Sequence, residues 1–118
     1  MGMHFAFWKY KKDVYLDNQE VYENACCDGQ IIEGLETLPV NEIINKVSDV
    51  FSSWDKLDNY NYEGEIGAFT ICTTEQTVLF DCTYSMNYDD INKIIEIMLE
   101  YDCPYYDPQI STRFDGKD

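Results

Sequence analysis

Residues 66–82 read Ile66-Gly-Ala-Phe-Thr-Ile-Cys-Thr-Thr-Glu-Gln-Thr-Val-Leu-Phe-Asp-Cys82. Two β-rich runs, 66–73 and 77–82, flank the polar tetrad Thr73-Thr-Glu-Gln76. Side chains alternate faces along a strand. Phe69 and Ile71 therefore share one face, opposite Ala68, Thr70 and Cys72. In the second run Val78, Phe80 and Cys82 oppose Leu79 and Asp81. The pattern predicts an antiparallel hairpin with one apolar face, although its turn lacks the favoured Asn-Gly pair.

Helices surround this hairpin. Downstream, Asn87 can cap a helix whose first turn holds Asp89 and Asp90, where negative charge meets the positive dipole end. Ile91, Ile94, Ile95, Met98 and Tyr101 form its apolar stripe, and Pro104 ends it. Upstream, Pro39 opens a helix carrying Val40, Ile43, Ile44, Val47, Val50, Phe51 and Trp54 at helical spacing. A shorter helix begins at Asp17, with Glu20 completing a box-like cap, and stops at Gly29. Two further strands are expected: the aromatic run 3–10 and a short one at Tyr105-Tyr106.

The order is β-α-α-β-β-α-β. It predicts an α+β, ferredoxin-like two-layer sandwich with a four-stranded antiparallel sheet and all helices on one face. That face would hold Phe5, Phe7, Phe69, Ile71, Val78 and Phe80. The other would expose His4, Trp8, Tyr10, Thr70, Cys72, Asp81 and Tyr105. Residues 1–109 form one domain in this reading. Residues 110–118 form a loose tail, and 55–65 form an acidic loop.

Charge narrows the function. The chain has 118 residues, 23 acidic and 8 basic, for a net charge of −15. From Asp13 onward it carries every acidic residue but only 5 of the basic ones. Phosphate contacts need a basic surface, so direct nucleic-acid binding is disfavoured. No apolar run reaches the roughly 18 residues of a membrane span, and no export signal is read at the N-terminus. A cytoplasmic location follows as an expectation. The five cysteines, including adjacent Cys26 and Cys27, form no Cys-x-x-Cys pair and read as reduced thiols.

Chemistry-bearing motifs are sparse. No phosphate-binding glycine loop occurs, and the single histidine, His4, has no neighbouring nucleophile. The segment 55–65 resembles a calcium loop only superficially, because Gly64 stands at its tenth position and not its sixth. No enzyme activity, cofactor or metal site is expected. Tyrosine is abundant, with ten residues. Aromatics beside carboxylates suit a surface that receives Lys and Arg.

The strand Phe5-Ala-Phe-Trp-Lys9, the Leu38-Pro39 before the long helix and the closing Tyr105-Tyr-Asp-Pro-Gln109 resemble small bacterial immunity proteins of polymorphic and contact-dependent growth inhibition toxin systems. The resemblance spans residues 3–109. It implies a cytoplasmic inhibitor that binds a cognate toxin domain and blocks its active site, and it assigns no contact residue. From the residues themselves, the candidate partner-binding surface is Asp55, Asp58, Tyr60, Tyr62, Glu63 and Glu65, with Trp8, Tyr10 and Asp81 from the open sheet face. The partner expected is a basic domain, most naturally a nuclease, held by a monomer in a 1:1 complex. The alternative is a ferredoxin-like regulatory module that binds a small molecule or dimerises.

Overall fold

A computed structural model describes residues 2–114. The hairpin forms as the alternation requires. β4 (Ala68–Thr73) and β5 (Thr77–Thr83) pair antiparallel with Phe69 opposite Cys82 and Ile71 opposite Phe80. The missing Asn-Gly is replaced by side-chain bonding. The Thr74 hydroxyl accepts from the Gln76 and Thr77 amides, both at 3.1 Å.

The sheet has seven strands in the order β2-β3-β4-β5-β1-β6-β7, each pair antiparallel. Besides β1 (Gly2–Trp8) and β6 (Tyr105–Asp107), three short strands extend the edges beyond the expected four. β2 (Asp55–Lys56) and β3 (Asn61–Glu63) arise within the expected acidic loop. Tyr62 explains this: it packs flat on Phe69, ring centroids 5.0 Å apart, and draws its flanking backbone into the ladder. β7 (Thr112–Arg113) arises within the expected loose tail, tied down by Arg113. The rest of that tail, 115–118, lies outside the described residues.

α2 (Val40–Val50) and α3 (Tyr88–Leu99) cover one face. The Asn87 side chain caps α3 by accepting from the Asp90 amide at 3.0 Å. Ile97 is buried in α3 where Ile95 is only partly so. α2 ends at Val50, four residues before Trp54, and Phe51 caps it. Phe51, Trp54, Tyr62, Phe69 and Phe80 form a chain of ring contacts at this end of the core. A glycine sits against each side of this core. A Cβ on Gly64 would lie 2.8 Å from the Trp54 ring, and one on Gly67 would lie 2.6 Å from Met86 Cγ.

The remaining helix corrects the expectation of helices on one face. α1 (Asn18–Val21) runs into a π-helix, Tyr22–Cys27, and Gly29 at φ +71° ends it. It lies on the opposite face. There Val21, Tyr22 and Ala25 pack on Ala6, Trp8, Leu79 and Tyr106. The physical reason is supply and demand of apolar surface. α2 and α3 already fill the first face, while β1, β5 and β6 present a second apolar patch that this stripe can bury. Trp8 is consequently fully buried, and not part of an open face. Tyr105 also changes sides: it packs on the α2–α3 core, and Tyr106 takes the position under α1.

Candidate protein-binding face

Coverage of the second face is partial. α1 and the π-helix lie over β1, β5 and β6, and among the described residues no element packs over the β3–β4 side. Residues directly opposite in an antiparallel ladder share a face. The register therefore aligns Asn61 (β3), Thr70 (β4), Asp81 (β5) and His4 (β1) in one row across that side. A neighbouring row holds Asp55, Glu63 and Ala68.

Hydrogen bonds extend the first row at both ends. Asp58, in the β2–β3 turn, accepts from the Tyr60 amide at 2.8 Å and from Asn61 Nδ2 at 3.0 and 2.9 Å. The backbone bond from Tyr60, followed by the Asn61 side chain, holds the Asp58 carboxyl below the usual aspartate range. Asn61 Oδ1 in turn accepts from the Thr70 hydroxyl at 2.7 Å. At the other end His4 Nε2 stands 3.5 Å from Asp81 Oδ2, and His4 Nδ1 is 2.8 Å from the Tyr22 hydroxyl. Burial first, and then the Cys27 side chain, push the Tyr22 phenol above the usual tyrosine value. It therefore stays protonated at neutral pH and can donate to Nδ1, which leaves Nε2 to face the Asp81 carboxylate.

Four of the sequence-derived site residues thus meet on this face: Asp55, Asp58, Glu63 and Asp81. Glu65 is exposed in the adjoining β3–β4 connection. The others lie elsewhere. Trp8 and Tyr62 are core residues, each at most 1% exposed, and cannot touch a partner in this conformation. Tyr60 is exposed and lines a groove beside the start of α2 with Glu42 and Glu75. Tyr10 donates its hydroxyl to Asn18 Oδ1 at 2.6 Å, near the β7 edge. His4, Asn61 and Thr70 are the members of the row that lie outside the sequence-derived site. The alternation of Thr70 with Phe69 and Ile71 had already put it on this face, and Asn61 beside buried Tyr62 was the missing signal.

The arrangement can do electrostatic work. It is a solvent-facing patch whose carboxylates are carried on strands and in a turn. It offers acceptors to cations. Among the described residues no cluster of three or more His, Cys, Asp or Glu side chains is placed to hold a metal ion. No described helix is long and apolar enough to cross a membrane. A scan against protein-family models finds none that matches this chain, and a search of curated proteins likewise finds no match.

Proposed function

We propose that this protein is an immunity-type inhibitor, which neutralises a cognate secreted toxin domain by laying its acidic sheet face over a basic active site. The observation that carries this reading is the row Asp58, Asn61, Thr70, Asp81 and its neighbours Asp55 and Glu63, on the uncovered part of a sheet in a chain of net charge −15. A nuclease must present cations where nucleic acid binds. A rank of carboxylates carried on neighbouring strands competes for those cations. In the same reading β1, β4, β5 and β6 with α2 and α3 are a ferredoxin-like unit, and α1 and the short edge strands are additions that shape the docking side. The complex is 1:1 and forms in the cytoplasm.

Opposite fields steer association, raising on-rates to about 10⁸–10⁹ M⁻¹s⁻¹ at low salt. The test uses the purified C-terminal domain of the secreted protein encoded immediately upstream. A tight 1:1 complex is expected, with an on-rate that falls as salt rises. Glu63→Lys with Asp81→Lys lowers the on-rate by roughly tenfold or more, because exposed interfacial charges act mainly on association. These two positions are preferred to Asp58, whose carboxylate also holds the β2–β3 turn. Absence of a complex with the upstream domain defeats the proposal. An unchanged on-rate moves the interface off this face.

A further inference from the structure

This acidic protein gathers several of its cations in one place. A cavity of about 370 Å³ near the β7 edge is lined by Lys9, Lys11, Lys12 and Arg113, with Tyr10 and Tyr15 among its walls. Those four are half of all the basic residues in the chain. Among the described residues only two carboxylates, Asp13 and Asp102, share the lining. Lys9 is paired to Asp102 at 3.6 Å. Lys11 and Lys12 have no carboxylate within ion-pairing distance among the described residues, in a chain that holds 23 of them.

The walls are fixed by the fold. Arg113 donates from Nη2 to the Trp8 carbonyl at 2.6 Å, and its guanidinium lies over the Tyr10 and Trp8 rings at 4.8 and 5.4 Å. Such stacking holds the charge in one position. The Lys11 amide donates to the Gly34 carbonyl at 2.8 Å, and the Glu36 amide donates to Lys9 at the same distance. Strand-like pairing thus holds the backbone that carries the lysines. A tight turn follows, in which the Val14 amide donates to the Lys11 carbonyl at 3.0 Å and Asp13 adopts φ +62°.

We propose that this cavity is a binding site for a small phosphorylated ligand. Its volume falls in the range of small-molecule pockets, about 300–1,000 Å³. Lysines serve as point-charge phosphate binders, and the exposed Tyr15 ring borders the space for the organic part. The ligand is small for an electrostatic reason. Beyond a screening length of about 8 Å the local cations no longer offset the acidic surroundings, so a long polyanion is repelled where a compact one is not. The site is independent of the acidic sheet face and of any toxin.

Calorimetric titration of the full chain with adenosine 5′-monophosphate, inorganic phosphate and adenosine tests it. Saturable binding of the monophosphate is expected, displaced by inorganic phosphate and weakened by salt. Adenosine should bind at least about tenfold more weakly, the size of one lost charge-assisted contact. Lys11→Glu with Lys12→Glu should weaken the monophosphate at least as much while leaving the thermal midpoint near that of the unsubstituted protein, since both side chains are exposed. No saturable heat from the monophosphate, equal binding of adenosine, or full retention of binding in the double variant overturns the site.

Discussion

The two faces of this sheet are written by the same alternating strands, yet they differ in what they demand of sequence. Phe69 and Thr70 are chain neighbours on β4. Phe69 is 2% exposed and touches the rings of Phe51, Trp54, Tyr62 and Phe80. Thr70 faces outward in a polar row and makes one side-chain hydrogen bond, to Asn61. The first face is held by dispersion and water exclusion, where volume matters. The β3–β4 part of the second, which α1 leaves uncovered, is held by directed bonds that also remain in contact with solvent, where charge and geometry matter. Stability should therefore reside on one side of the strand and recognition on the other.

The sharpest way to break that division is to truncate both neighbours separately. Phe69→Ala should cost about 3–5 kcal/mol, because the cavity opens at the meeting point of four aromatic rings. Thr70→Val should cost only about 0.5–1.5 kcal/mol, the worth of one hydrogen bond. Urea unfolding with the slope held fixed reads both. Comparable losses at the two positions would mean that the outward row is a second structural core.

The contrast also explains what the residues disclosed unaided. The hairpin, the three helical segments and the inward set Phe5, Phe7, Phe69, Ile71, Val78 and Phe80 followed from periodicity, because each depends on local alternation or helical spacing. Strands of two or three residues have no period to detect. β2, β3 and β7 exist because Tyr62 and Arg113 find tertiary partners, rings in both cases. The side taken by α1 was equally hidden. A short amphipathic stripe specifies that it must be buried, not where, and only the apolar patch of Ala6, Trp8, Leu79 and Tyr106 decides. The misplacement of Trp8 and Tyr62 in the binding surface has the same root. Composition marks an aromatic as an interface anchor or a core residue equally well.

The cysteines offer a second comparison of interior and surface, in reactivity. Burial pushes the Cys82 and Cys103 thiols up to about 12, and that of Cys26 equally. Cys27 and Cys72 are exposed. The thiolate is the nucleophile, so a thiol that burial pushes up presents much less of it near neutral pH. Iodoacetamide at pH 8 should label Cys27 and Cys72 under native conditions and reach the other three only in denaturant, as peptide mass mapping would record. Native labelling of Cys82 would show that β5 opens, and with it the boundary between the two faces.

The smallest effect tests how firmly the acidic row is built. Asp58 has its folded pKa lowered by the Tyr60 amide and the Asn61 side chain. A lowered folded pKa means that the carboxylate's contribution is fully present above the unfolded value of about 3.9. That contribution is lost as pH falls through the folded value. At neutral pH the turn is thus at full strength, and acidification should release the Tyr60 amide below the ordinary aspartate range. Because Asp58 is fully exposed, the consequence for global stability is slight, and the informative readout is local. The Tyr60 amide shift followed by NMR from pH 6 to pH 2 should titrate with a midpoint under the ordinary value. In Asp58→Asn the same amide should lose that titration, while near-ultraviolet circular dichroism of the Phe69 ring cluster stays unchanged. A midpoint at or above the ordinary value would mean that the turn bonds are loose in solution. The acidic face would then be an ensemble of mobile carboxylates, and its claim to recognise a fixed pattern of cations would rest on Glu63 and Asp81 alone.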